Sequence, residues 1–191
     1  MAQISLRHFC RSILRNFVNL YIILEVISME IIIRAYQEAD LPSMTEIWNT
    51  IVTAGRAFPQ QNPMTQTQAA VFFKSQSYTA VAEVDGRIVG LYILHPNNVG
   101  RCGHIANASY GVTPNAQGKG VGRKLIQDSL EQAQRLEFHI LQFNAVVASN
   151  HSAIKLYESI GFQRLGTIPG GFYNKDQVYE DIILFYYLLG K

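Results

Sequence analysis

The sequence predicts one α/β domain in which a mixed sheet is covered by helices. Three observations carry that prediction. Short β-rich apolar runs alternate with stretches of helical period along most of the 191 residues. The stretch "YTAVAEVDGRIVGLYIL" is two such runs joined by Asp85-Gly86, a strong hairpin signal. "ASYGVTPNAQGKGVGRKL" reads as a strand end, a turn, a glycine-rich loop and a helix start. The length suits a single domain with a sizeable core.

Taken in order, the apolar run 31–35 is a first strand. Asp40 reads as an N-cap, with Pro42 in the first turn of a helix through Ile47, Trp48 and Ile51. "AGRAFPQQNP" is a loop and "TQTQAAVFFKS" a second short helix. The hairpin follows, then an irregular connection, "HPNNVGRCG", and a strand over 104–112. The glycine loop leads into a helix over 120–136 whose apolar positions Val121, Leu125, Ser129, Ala133 and Leu136 keep the helical period. "ILQFNAVV" is a strand, apolar apart from Gln142 and Asn144. "NHSAIKLYESIGF" is a helix stopped by Gly161. "FQRLGTI" and "EDIILFYYLL" are closing strands, with "PGGFYNKDQ" as a turn region between them.

A formal net charge of +2 and the lack of a basic run argue against nucleic acid as a partner. Two cysteines outside any CxxC or Cys/His cluster fit a reducing cytoplasm and give no sign of a metal site. The segment 1–28 carries the whole charge excess, through Arg7, Arg11 and Arg15 against Glu25. On a helix the arginines face one side and Leu6, Phe9, Ile13, Phe17 and Leu20 the other. Asn19, Glu25 and Ser28 interrupt the apolar stretch before it reaches a membrane span of about 20 residues. Three readings stand: an upstream extension outside the natural protein, whose start would be Met29; an organellar transit helix; or an amphipathic helix docked on the domain, a partner or a membrane surface. The expected division is therefore an N-terminal extension over 1–28 and a domain over 29–191.

The glycine loop is suited to an anion. Helix N-termini present N–H groups without intrahelical partners, and the peptide dipoles favour negative charge there. Two familiar phosphate loops are excluded. A Walker A loop needs Ser or Thr after its lysine, and Lys119 is followed by Gly120. A dinucleotide fingerprint needs a different glycine spacing and an acidic residue ending the next strand, which "ILQFNAVV" lacks.

The six residues Gln117-Gly118-Lys119-Gly120-Val121-Gly122 match Q/R-x-x-G-x-G/A. With Asn150, Tyr157 and Gly161-Phe162 downstream, the chain resembles the GNAT superfamily of acetyl-CoA-dependent N-acetyltransferases over most of 29–189. It looks most like the subgroup of fungal acetyltransferases acting on proline analogues such as azetidine-2-carboxylate, with their bacterial relatives. The resemblance implies a mixed, mostly antiparallel sheet splayed between its fourth and fifth strands, flanked by helices, here with the N-terminal extension added. It implies acetyl-CoA as donor, no metal, a small-molecule amine as acceptor, and allows a homodimer.

Roles follow from the same resemblance. The diphosphate of CoA would lie on the backbone of Gln117, Gly118, Lys119, Gly120, Val121 and Gly122. The pantetheine arm would run along Tyr110 and Val112 as an added strand. Asn150 would hold that arm, and Tyr157 would stand beside the thioester sulfur as general acid. Asn107 and Asn144, polar residues in otherwise apolar strands, would line the acceptor site, although tying the splayed strands together is their blander role. Glu180 and Asp181 are further residues that could serve an amine. The general base stays open among His104, Glu83, Tyr173 and a water held by Asn107. A backbone N–H near Val112 would meet the oxyanion. An acyl-CoA sensor without turnover is the alternative from another class, and within the class an antibiotic, a polyamine or a protein N-terminus could be the acceptor instead.

Overall fold

The structure, a computed structural model, describes residues 30–190 of the chain. The readings made for 1–28 lie outside the described residues. Strand β1 (Ile32–Ala35) is followed by a 3-10 turn (Glu38–Asp40), helix α1 (Leu41–Ala54) and helix α2 (Gln66–Lys74). The hairpin β2 (Tyr78–Val84) and β3 (Arg87–Pro96) leads to β4 (Ile105–Val112), α3 (Val121–Arg135), β5 (Ile140–Val147), α4 (His151–Ile160), β6 (Gln163–Tyr173) and β7 (Tyr179–Leu188). One seven-stranded sheet runs in the order β1-β2-β3-β4-β5-β7-β6. Every neighbouring pair is antiparallel except β4–β5. The expected fold is present.

Strand alternation sorts the core onto two faces. Val81, Leu91 and Ile93 pack with Met44, Ile47, Trp48, Val52 and Phe73 of α1 and α2. Ala80, Ala82, Tyr92, Leu94, Ala106 and Ala108 point the other way, against Leu125, Ile126 and Ala133 of α3. The alanines on that face leave room for α3 to approach. Tyr92 then donates to Asp128 at 2.6 Å, pinning the helix to the sheet.

Two elements differ from expectation. Asp40 does not cap α1 with its side chain. Its carboxylate instead accepts from Arg34 of β1, at 2.7 and 2.9 Å, and from the Gln37 amide at 2.8 Å. Arg34 of the first strand and the Gln37 amide of the preceding turn occupy the carboxylate in place of the α1 amides. The second difference is β6, which continues through Pro169-Gly170-Gly171 to Tyr173 and leaves only 174–178 as the turn. As an edge strand β6 tolerates proline, and a register shift between Ile168 and Phe172 absorbs the glycines.

Candidate active site

Strands β4 and β5 pair only through Ile105↔Ile140 and Ala106↔Leu141 and then diverge. A cavity of about 1060 Å³ fills the opening and is lined from both faces of the sheet. On the α3/α4 face it is walled by Tyr110, Val112, Ile126, Phe143, Leu156 and Tyr157, and it reaches Gln117, Gly118, Gly120, Gly122 and Arg123. On the α1/α2 face it is walled by Phe58, Phe72, Gln76, Ile93, His95 and Asn107.

The loop at its first end has the geometry an anion needs. Gly118 and Gly120 have φ of 74° and 87°, a left-handed backbone that costs an L side chain about 1–2 kcal/mol. These reversals turn the chain into the N-terminus of α3, for which Gly120 is the cap. Gly122 serves a different purpose: a Cβ there would stand 3.3 Å from Leu156, so its hydrogen lets α3 and α4 touch. Lys119 is exposed and Val121 buried in the core. Gln117 is partly committed, its N–H donating to Pro114 at 3.3 Å and its side chain reaching the Val112 carbonyl at 3.4 Å. Arg123 donates to Ser159 at 2.8 Å, linking the loop to α4.

Tyr157 stands in the middle of the cavity on α4. Its ring packs on Phe143, Phe162, Phe185 and Tyr110, with centroids at 4.5, 5.6, 6.0 and 6.4 Å. Burial alone raises its phenol well above the usual range. The side chain is therefore a proton donor throughout the physiological range. Tyr110 is likewise pushed up by burial, against a hydroxyl contact with Ser129 at 2.7 Å that pulls it down. Asn150 is the N-cap of α4, accepting from the Ala153 amide at 3.2 Å, and it lines the cavity beside Tyr157.

At the far end three asparagines span the gap between the strands. A bulge in β5 sets Asn144 and Ala145 against one residue of β7 and exposes both in the cavity. Asn97, in the connection after β3, donates to Asn144 at 3.2 Å and accepts from its amide at 2.5 Å. Asn107 donates to Asn97 at 3.4 Å, and Gln142 to Asn144 at 2.9 Å. Asn107 and Asn144 thus come together, and Asn97 is the link that the sequence reading missed.

Other candidates fall away from the site. Glu83 is paired with Arg34 at 2.8 Å. His104 packs edge-on against His139, and Tyr173 lies on Tyr179. Glu180 accepts from Asn174 at 2.7 Å and Asp181 from the Gly170 amide at 2.9 Å, and neither lines the cavity. The 174–178 turn supports the acceptor side indirectly: Lys175 N–H donates to the Gly55 carbonyl and Arg56 pairs with Asp176, bracing the chain just before Ala57 and Phe58. Among the described residues no three His, Cys, Asp or Glu side chains cluster as metal ligands, and no helix is long and apolar enough to cross a membrane.

Residues 41–162 match the model of the acetyltransferase (GNAT) family. The chain belongs to that family. As a GNAT protein it is 31% identical, over 169 residues, to the N-acetyltransferase aca1 of Schizosaccharomyces pombe, covering 79% of this chain and 81% of that one. It is 27% identical over 142 residues to the phosphinothricin N-acetyltransferase of Alcaligenes faecalis, covering 71% and 72%. Among solved structures it is similar to a GCN5-related N-acetyltransferase from Kribbella flavida, with a TM-score of 0.78 and 35% identity over 83% of this chain and 98% of that one. The GNAT match spans the glycine loop, the opening between β4 and β5, and Tyr157. The protein is accordingly a GNAT N-acetyltransferase.

Proposed function

We propose that the chain moves the acetyl group of acetyl-CoA onto the amine of a small molecule, an amino or imino acid in class, by direct attack with both substrates bound. The observation that carries this reading is the continuity of the cavity. It runs from the helix N-terminus, through the opening in the sheet and past Tyr157, to an aromatic and amide-lined chamber on the opposite face. Its volume lies at the top of the range usual for one small ligand, so a donor arm and a compact acceptor fit together. The chamber has no carboxylate in its lining, which disfavours a polycation. The phosphinothricin N-acetyltransferase acts, by its name, on a small molecule of the proposed size.

On this reading the outward amides at Gly118, Lys119, Gly120, Val121 and Gly122, beside Gln117, hold the diphosphate. The unpaired edge of β4 at Tyr110–Val112 takes the pantetheine as an added strand, with Asn150 against it. A backbone N–H near Val112 meets the oxyanion. Tyr157 donates to the sulfur as the C–S bond breaks, while Asn107 and Asn144 orient the acceptor. The likeness to proline-analogue acetyltransferases belongs to the same proposal. Two cysteines in 191 residues support a reducing cytoplasm as the setting.

The test is release of free thiol from acetyl-CoA against proline analogues, amino acids, polyamines and peptides with free N-termini. Turnover is expected with amino or imino acids. Binding of acetyl-CoA with no turnover on any amine would refute the reading and leave an acyl-CoA sensor.

A further inference from the structure

An aliphatic amine reaches an enzyme as an ammonium and has no lone pair until it loses a proton. The cavity must hold, or connect to, a group that takes it. Four ionisable side chains line the cavity: His95, Tyr110, Arg123 and Tyr157. Both tyrosines are half-buried with their phenols pushed upward by desolvation, so they hold their protons. Arg123, whose guanidinium carries donors and no acceptor, sits at the glycine-loop end, bonded to Ser159. No carboxylate, lysine or second imidazole lines the cavity from α1, α2, β4, β5 or α4. That leaves one imidazole.

We propose that His95 is the general base of the acetyl transfer, taking the acceptor's proton on Nε2. This rests on the direct-attack reading above. The register puts His95 opposite Asn107 on the neighbouring strand, so their side chains leave the sheet on the same face, the one holding Phe58, Phe72 and Gln76. The ring's other nitrogen, Nδ1, is 2.9 Å from the Pro96 carbonyl oxygen. A carbonyl can only accept, so Nδ1 carries the hydrogen and the neutral ring keeps its lone pair on Nε2. Pro96, which has no N–H of its own, continues β3 beyond the histidine while its carbonyl fixes the tautomer. His95 is half-buried, so the proton it collects can pass to water.

The protons balance. The ammonium gives one proton to His95 Nε2 before attack, and the nitrogen lone pair then forms the C–N bond to the acetyl carbon. The tetrahedral adduct loses its second N–H proton as it collapses. The C–S bond breaks with its electrons on sulfur, and Tyr157 protonates the leaving thiolate. One of the two amine protons replaces the one that Tyr157 gave up, and the other leaves to solvent.

The experiment compares wild type with His95→Gln and His95→Ala, following kcat/KM from pH 5.5 to 9. Two acceptors are used with each: an aliphatic amine, and an analogue of the same shape whose amine is already neutral at pH 6. Calorimetry with acetyl-CoA checks that each variant is folded. With the aliphatic amine, His95→Gln should lose about 10²-fold in kcat/KM, in the range for general bases, and the wild-type fall toward low pH should change to the steeper dependence of the free amine. With the weakly basic amine the loss should shrink to less than about tenfold, and added imidazole should restore part of the His95→Ala rate. An equal loss on both amines, or an unchanged acid limb in His95→Gln, overturns the assignment while leaving the acetyltransferase reading intact. No turnover by wild type on any amine overturns both.

Discussion

Replacing Tyr157 by Phe removes one oxygen from the aromatic cluster and leaves the rest of the ring in place. The ring's neighbours, Phe143 at 4.5 Å foremost, contact its faces and edges and do not depend on the hydroxyl. Burial is the sole cause of the raised phenol pKa, and no hydrogen bond to protein offsets it. The substitution should therefore leave the melting temperature within a degree or two, because no buried partner is stranded. On the proposed mechanism, what it removes is the donor for the leaving thiolate. A general acid contributes 10²-fold or more, so kcat should fall about 10²-fold, a rise of about 2.7 kcal/mol in the barrier. KM for acetyl-CoA should change less than threefold, since the hydroxyl acts on charge that develops only in the transition state. Thiol release measured at saturating donor and acceptor reads kcat directly. Because the phenol stays protonated well above neutrality, wild type should also show no loss of rate below about pH 9 from this group. An unchanged kcat in the Phe variant, with the fold intact, would remove Tyr157 from the mechanism.

Three further outcomes are expected. Gly120→Ala places a Cβ at φ 87°, so it should cost about 1–2 kcal/mol in thermal melts and raise KM for acetyl-CoA about tenfold, leaving KM for the acceptor nearly unchanged. Asn97→Ala should do the reverse in steady-state kinetics, raising acceptor KM about tenfold, because it strands the Asn107 and Asn144 amides at the chamber while touching nothing at the glycine loop. Asp40→Asn should destabilise the fold by about 2 kcal/mol at pH 7 in urea titrations. Arg34 first, then the Gln37 amide, holds the Asp40 carboxyl below its ordinary range, so its stabilisation is full above about pH 4 and is lost as pH falls through the lowered value; the variant should lack that part of the acid sensitivity.

The parts of the fold that were legible have local causes. Asp85 and Gly86 both adopt positive φ, at 49° and 72°, as a two-residue hairpin requires. Gly161 ends α4 at φ 112°. The glycine loop belongs to the same class, because backbone reversal and helix start are encoded in a dozen consecutive residues. The acceptor end does not. Whether His95 faces the chamber depends on β3 running on through "HP" and pairing with β4, a register that "HPNN" does not announce. Counting out from the Asp85-Gly86 turn pairs β3 with β2 only, and the irregular connection after Pro96 hides the β3–β4 register that sets His95 opposite Asn107. The bulge that exposes Asn144 depends on β7, far along the chain, and leaves no mark in "ILQFNAVV". Asp40 failed as a cap for the same reason: its partner Arg34 belongs to another element.

The opening between β4 and β5 explains why those distant residues had to converge. A parallel pair that stops after two residue pairs leaves backbone N–H and C=O groups facing a gap, and buried groups of that kind cost free energy unless something meets them. Near the closed end the side-chain amides of Asn97, Asn107 and Asn144 bridge the gap where the ladder stops. Toward the open end no side chain among the described residues bonds across the gap: the Gln117 side chain reaches the Val112 carbonyl at 3.4 Å, within the β4 strand and the loop that follows it. Side-chain bridging therefore falls off along the cleft in the direction in which the donor arm would enter. A strand edge left hungry for hydrogen bonds at one end and stitched shut at the other fixes how far a strand-like ligand can slide in. On the proposed reading that stop would lie between Tyr157 and the asparagines, where a thioester would meet an amine.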